Sequence, residues 1–536
     1  MSQVSRRSFL AGTAAAAVTA GLTGTGLGGQ PAAATRVLGA PRAASVPVTS
    51  VDVRVVVIGS GFGGGVTALR LGQAGVPVLL LERGKRWPTG PNAETFPHAV
   101  SVDKRANWMG SSISLLGIKI PVTDPYVGLV ESVVGDNMTA NCAAGFGGGS
   151  LVYQGMTLQP SAAVFNANFP QQLDYAKMSS IYYPRVASML QIQTAPDDLI
   201  NSPTYKPARI FASRAKDAGQ SVEKIPMPID WSFALRELKG EMKPSYTNGD
   251  CALGVNNGGK HSVDVTYLAA AEATGKVTVA IQHNVTDVEM ASDGRWVVRA
   301  DRIAEDGTVL EKKVITAKAL VMAAGSCNTS KLLVRASGTG KIPDLPDALG
   351  GNWGTNADQI CTWTNLTEDF TSPQGGPVVY GSKDWASPTS ANTIIQASLP
   401  PLPDLLSTVI VGYGVSSGRG KFVFDSSSGQ AKLTWPSNGD SAIASVIRQR
   451  MNKITGPLAV IADSNSTPTT WHPMGGASMG SVCDLSGRVL GHRGLYVLDG
   501  ALLPGNSAAC NPSMTIAAVA ERALEDIIAN DVSTVF

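Results

Sequence analysis

The chain has little net charge, few histidines and no long apolar run, and each shortage removes a class of function. Its 43 Lys and Arg nearly balance its 41 Asp and Glu, so no extended basic surface for nucleic acid is expected. No span is apolar and long enough to predict a transmembrane helix. There is no internal repeat, and low complexity is confined to the N-terminal leader. The six cysteines, Cys142, Cys251, Cys327, Cys361, Cys483 and Cys510, form no Cys-x-x-Cys pair and no metal-ligand spacing. They read as small buried thiols, although an exported protein could pair some of them and the sequence does not choose the pairing. At 536 residues the chain is long enough for two or more domains, or for one large interleaved pair.

The N-terminus differs from the rest. Ser5-Arg6-Arg7-Ser8-Phe9-Leu10 precedes a mildly apolar stretch, Ala11 to Gly29, and then Pro31-Ala32-Ala33-Ala34. Paired arginines, a weak hydrophobic region and an Ala-x-Ala site predict a twin-arginine export signal over 1–34, cleaved near Ala34, with a loose linker over 35–49. An uncleaved tail is the competing reading. Export in the folded state suits an enzyme that loads its cofactor before secretion.

What is abundant is glycine, and its placement carries the first positive signal. Val53-Arg54-Val55-Val56-Val57-Ile58 runs into Gly59-Ser60-Gly61-Phe62-Gly63-Gly64, and a second apolar run, Val78-Leu79-Leu80-Leu81, ends in Glu82. This is a strand, a Gly-x-Gly-x-x-Gly turn, a helix and a strand tipped by an acid. Gly59 permits the tight turn, Gly61 lets backbone amides approach a pyrophosphate, and Gly64 lets the helix pack on the strand. Glu82 can accept hydrogen bonds from both adenosine ribose hydroxyls. In this context the triplet predicts an adenine-dinucleotide site.

Further along, Trp87 to Asp136 is rich in Pro, Gly and aromatic residues and reads as long loops, followed by a second glycine cluster, Gly145-Phe146-Gly147-Gly148-Gly149-Ser150. Met178 to Leu190 reads as a helix, and the segment up to Gly259 as irregular. Val277 to Ile281, Val285 to Met290, Trp296 to Ala300 and Val309 to Ile315 read as strands, and Ala319 to Ser326 as a buried parallel strand ending in a turn. Gly351 to Asn465 reads as a mixed region with many turn residues. The chain closes with Gly494 to Gly500, Asn511-Pro512 and a helix from Met514 to Ile528. The N-terminal fingerprint is thus answered by a strand–Asp–Gly–helix element at the far end. A tightly held flavin needs contacts at both its ring and its adenine end, so the layout favours FAD over NAD.

His472, in Trp471-His472-Pro473-Met474-Gly475-Gly476, is one of five histidines, and Asn511 precedes Pro512. Removing a hydride from an alcohol needs a partner for the hydroxyl proton, which an imidazole supplies and a neighbouring amide can assist. A hydrogen-bonded core histidine is the competing role, and spacing alone leaves both open.

The N-terminal fingerprint, Gly147-Gly148-Gly149-Ser150, the strand to Gly325, His472-Pro473 with Gly475-Gly476, and Asp499-Gly500 with Asn511-Pro512 together resemble the glucose–methanol–choline (GMC) oxidoreductases. Within that family the chain resembles the bacterial cholesterol-oxidising branch that holds FAD non-covalently. Asp103-Lys104-Arg105, Asp124-Pro125-Tyr126, Asn256-Asn257-Gly258-Gly259-Lys260, Thr266 to Ala271 and Thr274 to Thr278 share the likeness, which runs from about Val53 to the C-terminus. The resemblance implies an α/β fold in which a Rossmann-like FAD-binding domain (50–86, 261–350 and 487–536) is interleaved with a substrate-binding domain of mixed sheet and helices (87–260 and 351–486). Phe62, Gly63 and Glu82 would touch the pyrophosphate and adenosine, Val285 the adenine end, Gly149, Tyr153 and Met156 the flavin, and Gly500 and Ser513 the ring site. His472 would receive or orient the proton of a 3β-hydroxysteroid, Asn511 would steady the reduced flavin, and oxygen would be reduced to peroxide. A monomer making transient membrane contact through Leu115 to Val122 or Leu399 to Val409 is expected.

Three departures stand out. Tyr153-Gln154 replaces an Asn-Gly beside the flavin, and Ser513 replaces an aromatic residue. Gln396 aligns with the glutamate that serves the Δ5-to-Δ4 isomerisation, and no carboxylate lies between Trp385 and Pro403. A neutral amide cannot shuttle a proton from carbon 4 to carbon 6, so oxidation with weak isomerisation is expected, with Asp404 the nearest substitute acid. Competing readings are a family oxidase or dehydrogenase for another bulky apolar alcohol, and a catalytically silent flavin- or sterol-binding protein.

Overall fold

Strand Val48–Ile58 begins exposed and ends in four buried residues, because its last residues have covered faces on both sides, as strands of a parallel sheet require. The chain turns at Gly59, enters the helix Phe62–Gln73, and returns as strand Val78–Leu81, parallel to the first with Ile58 opposite Leu81. A computed structural model describes residues 45–536 except 116–117, 123 and 466. The expected export leader and most of the linker lie outside the described residues. No helix among the described residues is long and apolar enough to cross a membrane.

The first sheet has seven strands, in the order Val277–Ala280, Val78–Leu81, Val48–Ile58, Val309–Met322, Trp296–Ile303 and His283–Met290, with Leu495–Val497 also paired to Val309–Met322. That strand is continuous over 14 residues, although the sequence suggests two separate runs. Thr316-Ala317-Lys318 looks like a polar break, yet Ala317 points inward and Lys318 outward, which keeps the two-residue alternation. Its first part pairs antiparallel with Trp296–Ile303 and its end parallel with Leu495–Val497.

The second sheet has six strands, in the order Ala459–Asp463, Gln359–Asn365, Ser407–Gly414, Asn392–Ala397, Tyr380–Asp384 and Glu223–Lys224, each pair antiparallel. The helices Lys206–Asp217 and Ser441–Thr455 cover one face, where Phe211, Ile443, Ile447 and Met451 pack on Ile394 and Ile410. Helix Lys206–Asp217 comes from a stretch that reads as irregular, and helix Ser441–Thr455 and most of these strands from one that reads as mixed and rich in turns. Pro207 looks like a breaker but occupies the first helical turn, where its missing N–H costs nothing. The central strands Asn392–Ala397 and Ser407–Gly414 are buried on both faces, so polar alternation gives no signal there. Likewise, Trp87 to Asp136 is not all loop, because Val130–Gly135 pairs with Met138–Ala143 as a hairpin. Val46–Phe536 forms one compact unit, with the first sheet drawn from 48–81, 277–322 and 495–497 and the second from 223–224 and 359–463.

Candidate active site

Between the two sheets lies a cavity of about 1090 Å³, large enough for a dinucleotide and a second molecule. Three helices aim their N-termini at it: Phe62–Gln73, Ser326–Gly338 and Pro512–Asn530, none with a side-chain cap at its first residues. Their unpaired amides and positive dipole ends suit a phosphate or a reduced ring.

The residues fit FAD. Gly59 has φ 100°, and a Cβ there would sit 2.2 Å from Ala323 O. A Cβ on Gly64 would meet Gly59 O at 2.1 Å, whereas one on Gly61 finds nothing nearer than 4.0 Å. Gly59 and Gly64 therefore serve the turn and the packing, and Gly61 stands open to the cavity wall. Gly63, too, is hemmed by Leu498 O, although it lines the cavity. Glu82 is buried, with Oε2 accepting from Ser60 N (3.2 Å) and Ser60 Oγ (2.5 Å) and Oε1 from Gly84 N (2.8 Å) and Gly145 N (3.2 Å). These donors lock the acid at the strand tip, where a ribose would share its lone pairs. Nearby, Arg83 Nη2, His283 Nε2 and Arg335 Nε are buried without a hydrogen-bond partner, and all three residues line the cavity beside Val285. Buried polar atoms without partners are rare in finished proteins, and here they surround the adenosine end.

At the other end the polar atoms around His472 are already paired. His472 Nδ1 lies 2.6 Å from Asp358 Oδ1, and Asp358 Oδ2 accepts from Thr470 Oγ1 (2.8 Å) and Trp471 N (3.0 Å). Burial would raise the Asp358 carboxyl, but the His472 charge and these hydrogen bonds outweigh it and hold the group below its ordinary value. Asp358 thereby fixes the tautomer with the proton on Nδ1 and leaves Nε2 as the acceptor. Asn511 Nδ2 stands 3.0 Å from His472 Nε2, and Asn511 Oδ1 accepts from Tyr413 OH at 2.9 Å. The result is a chain, Tyr413–Asn511–His472–Asp358, with every donor and acceptor oriented. Asp358 and Tyr413 carry no sequence signal, since their partners lie 114 and 98 residues away.

Most of the other expected residues line the same cavity: Phe62, Gly149, Tyr153, Met156, Gly500 and Ser513. A Cβ on Gly149 would meet nothing within 4 Å, leaving room for a flat ring. Phe62 and Tyr153 pack edge to face with centroids 5.6 Å apart, and the Tyr153 hydroxyl is buried without a partner. Ser513 Oγ donates to Met156 O at 3.3 Å. Lys260, which is buried, donates to Leu151 O (3.1 Å) and Tyr153 O (2.5 Å), and so pins the loop that carries Tyr153. Burial pushes its ammonium down to about 7.

Gln396 is the correction. It is buried on the helix-covered side of strand Asn392–Ala397, where Nε2 donates to Ala397 O (2.8 Å) and Thr408 Oγ1 (2.9 Å). Its neighbours Ile395 and Ala397 line the cavity instead, because successive side chains on a strand point to opposite faces. A local alignment loose by one residue thus chose the wrong face. Asp404 is no substitute, since its Oδ1 caps an exposed turn by accepting from Leu406 N at 2.8 Å.

The fold and the site define a dinucleotide-dependent oxidoreductase with a histidine–amide pair at the reacting end. Residues 125–357 and 438–520 match the N- and C-terminal models described as GMC oxidoreductase, and the chain belongs to that family of FAD-dependent alcohol oxidoreductases. It is similar to a cholesterol oxidase of Mycobacterium tuberculosis, 26% identical over 88% of this chain and 90% of the relative. A cholesterol oxidase of Acinetobacter baumannii is 24% identical over 90% and 95%. Among solved structures, pyridoxine 4-oxidase from Mesorbium loti superposes with a TM-score of 0.62 at 14% identity, covering 88% of this chain and 99% of that one. A fungal aryl-alcohol oxidase gives 0.60 at 16%, covering 89% and 99%.

Proposed function

We propose that the protein is an exported oxidase of 3β-hydroxysteroids that yields the 3-ketosteroid and hydrogen peroxide and leaves the Δ5 double bond largely in place. The observation that carries this reading is the apolar wall that adjoins His472 and Asn511. There Ile395, Ala397, Val409 and Val411 of the second sheet present an apolar surface to the cavity, which suits a rigid hydrocarbon whose one polar atom must reach the histidine. The relatives named cholesterol oxidase support the same substrate class.

His472 Nε2 takes the hydroxyl proton, Asp358 balances the imidazolium that forms, and Asn511 holds the substrate oxygen through its amide. FAD, held without a covalent bond, supplies the two-electron acceptor and the route to oxygen. Exclusion of water by the apolar wall strengthens these polar contacts. None of the four wall residues named carries a carboxylate to move a proton between carbons 4 and 6. Leu402, Leu405 and Leu406 are exposed on the loop whose Pro400 lines the cavity, a surface suited to docking a monomer on a membrane that holds the sterol. Export follows from the paired arginines and Ala-x-Ala site of the leader.

The test is anaerobic mixing of purified holoenzyme with cholesterol while the flavin absorbance is followed, then admission of air. Bleaching, recovery with peroxide, and a product that is mainly the Δ5-3-ketone are expected. A flavin that stays oxidised overturns the sterol and points to another bulky alcohol, for which the changes at Tyr153 and Ser513 leave room. A product that is mainly the conjugated Δ4-3-ketone overturns the isomerase reading.

A further inference from the structure

Two cysteines from distant parts of the chain meet at the wall of the flavin cavity. Cys142 lies on strand Met138–Ala143, is partly exposed and lines the cavity. Cys327 is fully buried in the first turn of helix Ser326–Gly338, whose neighbours Ser326 and Asn328 also line it. The strand and the helix are fastened together here. Cys142 stands across the hairpin from Glu131, and Glu131 accepts from Asn328 Nδ2 at 3.0 Å and pairs with Lys331 at 3.1 Å and Arg83 at 2.7 Å. Cys142 and Cys327 pack in one cluster, and the Cys142 thiol contact, with burial, pushes the Cys327 thiol well above its ordinary value.

We propose that Cys142 and Cys327 are a redox pair that peroxide converts to a disulfide joining strand Met138–Ala143 to helix Ser326–Gly338 at the wall of the cofactor cavity. Cys142 is the open member, partly exposed and facing the cavity that peroxide would enter. The Cys142 thiolate attacks one oxygen of hydrogen peroxide, the O–O bond breaks, and hydroxide leaves with Cys142 as the sulfenic acid. The Cys327 sulfur then attacks the Cys142 sulfur, the S–O bond breaks, and the oxygen leaves as water. Two thiols lose two electrons and one peroxide becomes two waters. The inference rests on the proposed oxidase activity only for the source of that peroxide. Because the bond joins residues 185 positions apart in sequence, it constrains a long loop of the unfolded chain. It also holds strand and helix against each other at the cavity wall.

The experiment treats reduced holoenzyme with one equivalent of hydrogen peroxide and maps the cysteines by non-reducing peptide mass spectrometry. A linked Cys142–Cys327 peptide is expected, absent in both Cys142→Ser and Cys327→Ala. The linked form should melt roughly 3–6 °C higher and release FAD at least about threefold more slowly than the reduced form, a difference neither variant reproduces. Free Cys142 and Cys327 after peroxide, a link to another cysteine, or a link without effect on melting and FAD release would overturn the proposal. A link that forms with added peroxide but not during aerobic turnover of cholesterol leaves the pair standing and counts against the oxidase reading.

Discussion

The two ends of the cavity are built on opposite rules. At the adenosine end, Arg83, His283 and Arg335 carry buried nitrogens with nothing to bond, and Arg83 and Lys331 crowd around Glu131. At the reacting end, Tyr413, Asn511, His472 and Asp358 bond one another and apolar strand residues fill the rest. A site that keeps its ligand leaves donors waiting for it, whereas a site that performs chemistry orients its groups beforehand. Damage at the first end should appear in cofactor affinity, and damage at the second in rate.

The largest expected effect tests that division. His472→Ala should lower kcat/KM by ~10²–10⁴ on any alcohol the enzyme turns over, with FAD content unchanged. Asp358→Asn should cost a comparable ~10²–10⁴ in kcat, because an amide has one acceptor oxygen for the donors on His472, Thr470 and Trp471, so it neither fixes the tautomer nor stabilises the charged ring. Equal losses of rate and FAD in either variant would erase the distinction between the ends. The converse variant, Arg83→Met, should weaken FAD by about tenfold, or ~1.4 kcal/mol, and leave kcat at saturating FAD within about twofold. Titration of apoenzyme with FAD measures this.

How far the sequence could be read follows the same division. The cofactor end depends on residue identity at short spacing: the glycines between Gly59 and Gly64, the acid at Glu82, and Asp499-Gly500 with Asn511-Pro512. Such patterns are visible in one line of text. The reacting end depends on which face of a strand a residue occupies and on partners about a hundred residues apart. His472 and Asn511 were legible as candidates, but Asp358 and Tyr413 were not, and Gln396 was assigned to the cavity when its neighbours hold that place. A two-residue period flips every side chain for a one-residue error, so a loose alignment finds the strand and misses the face.

That lesson can be made quantitative. Gln396→Glu should leave the ratio of Δ5 to Δ4 ketone unchanged and destabilise the fold by ~1–3 kcal/mol. It replaces the donor that Ala397 O and Thr408 Oγ1 receive with an acceptor in a buried site. Ile395→Glu places a carboxylate on the cavity face, and its product should shift toward the Δ4 ketone. Chromatography of the sterol products and denaturant titration separate the two results. A shift with Gln396→Glu and none with Ile395→Glu would return the alignment to its first register.

The smallest expected effect lies outside the cavity, where His98 joins two segments of chain. Its Nδ1 contacts Asp250, and its Nε2 lies 2.7 Å from Glu94. Hydrogen bonds donated to Asp250 and then to Glu94 raise the imidazole above its ordinary value against a smaller burial effect. A base whose folded value is raised contributes stability that is complete below the unfolded value, near pH 6.5, and is lost as the pH climbs through the folded value. His98→Asn should therefore destabilise the protein at pH 6 and much less at pH 9. The side chain is 35% exposed, so solvent screening holds the difference to less than about 1 kcal/mol. Melting curves of both proteins at the two pH values test this. Activity at saturating FAD should be the same in both, since neither His98, Asp250 nor Glu94 borders the cavity. A pH-independent loss would mean that His98 acts by packing alone, and a rate change would mean that the loop it holds belongs to the reacting end.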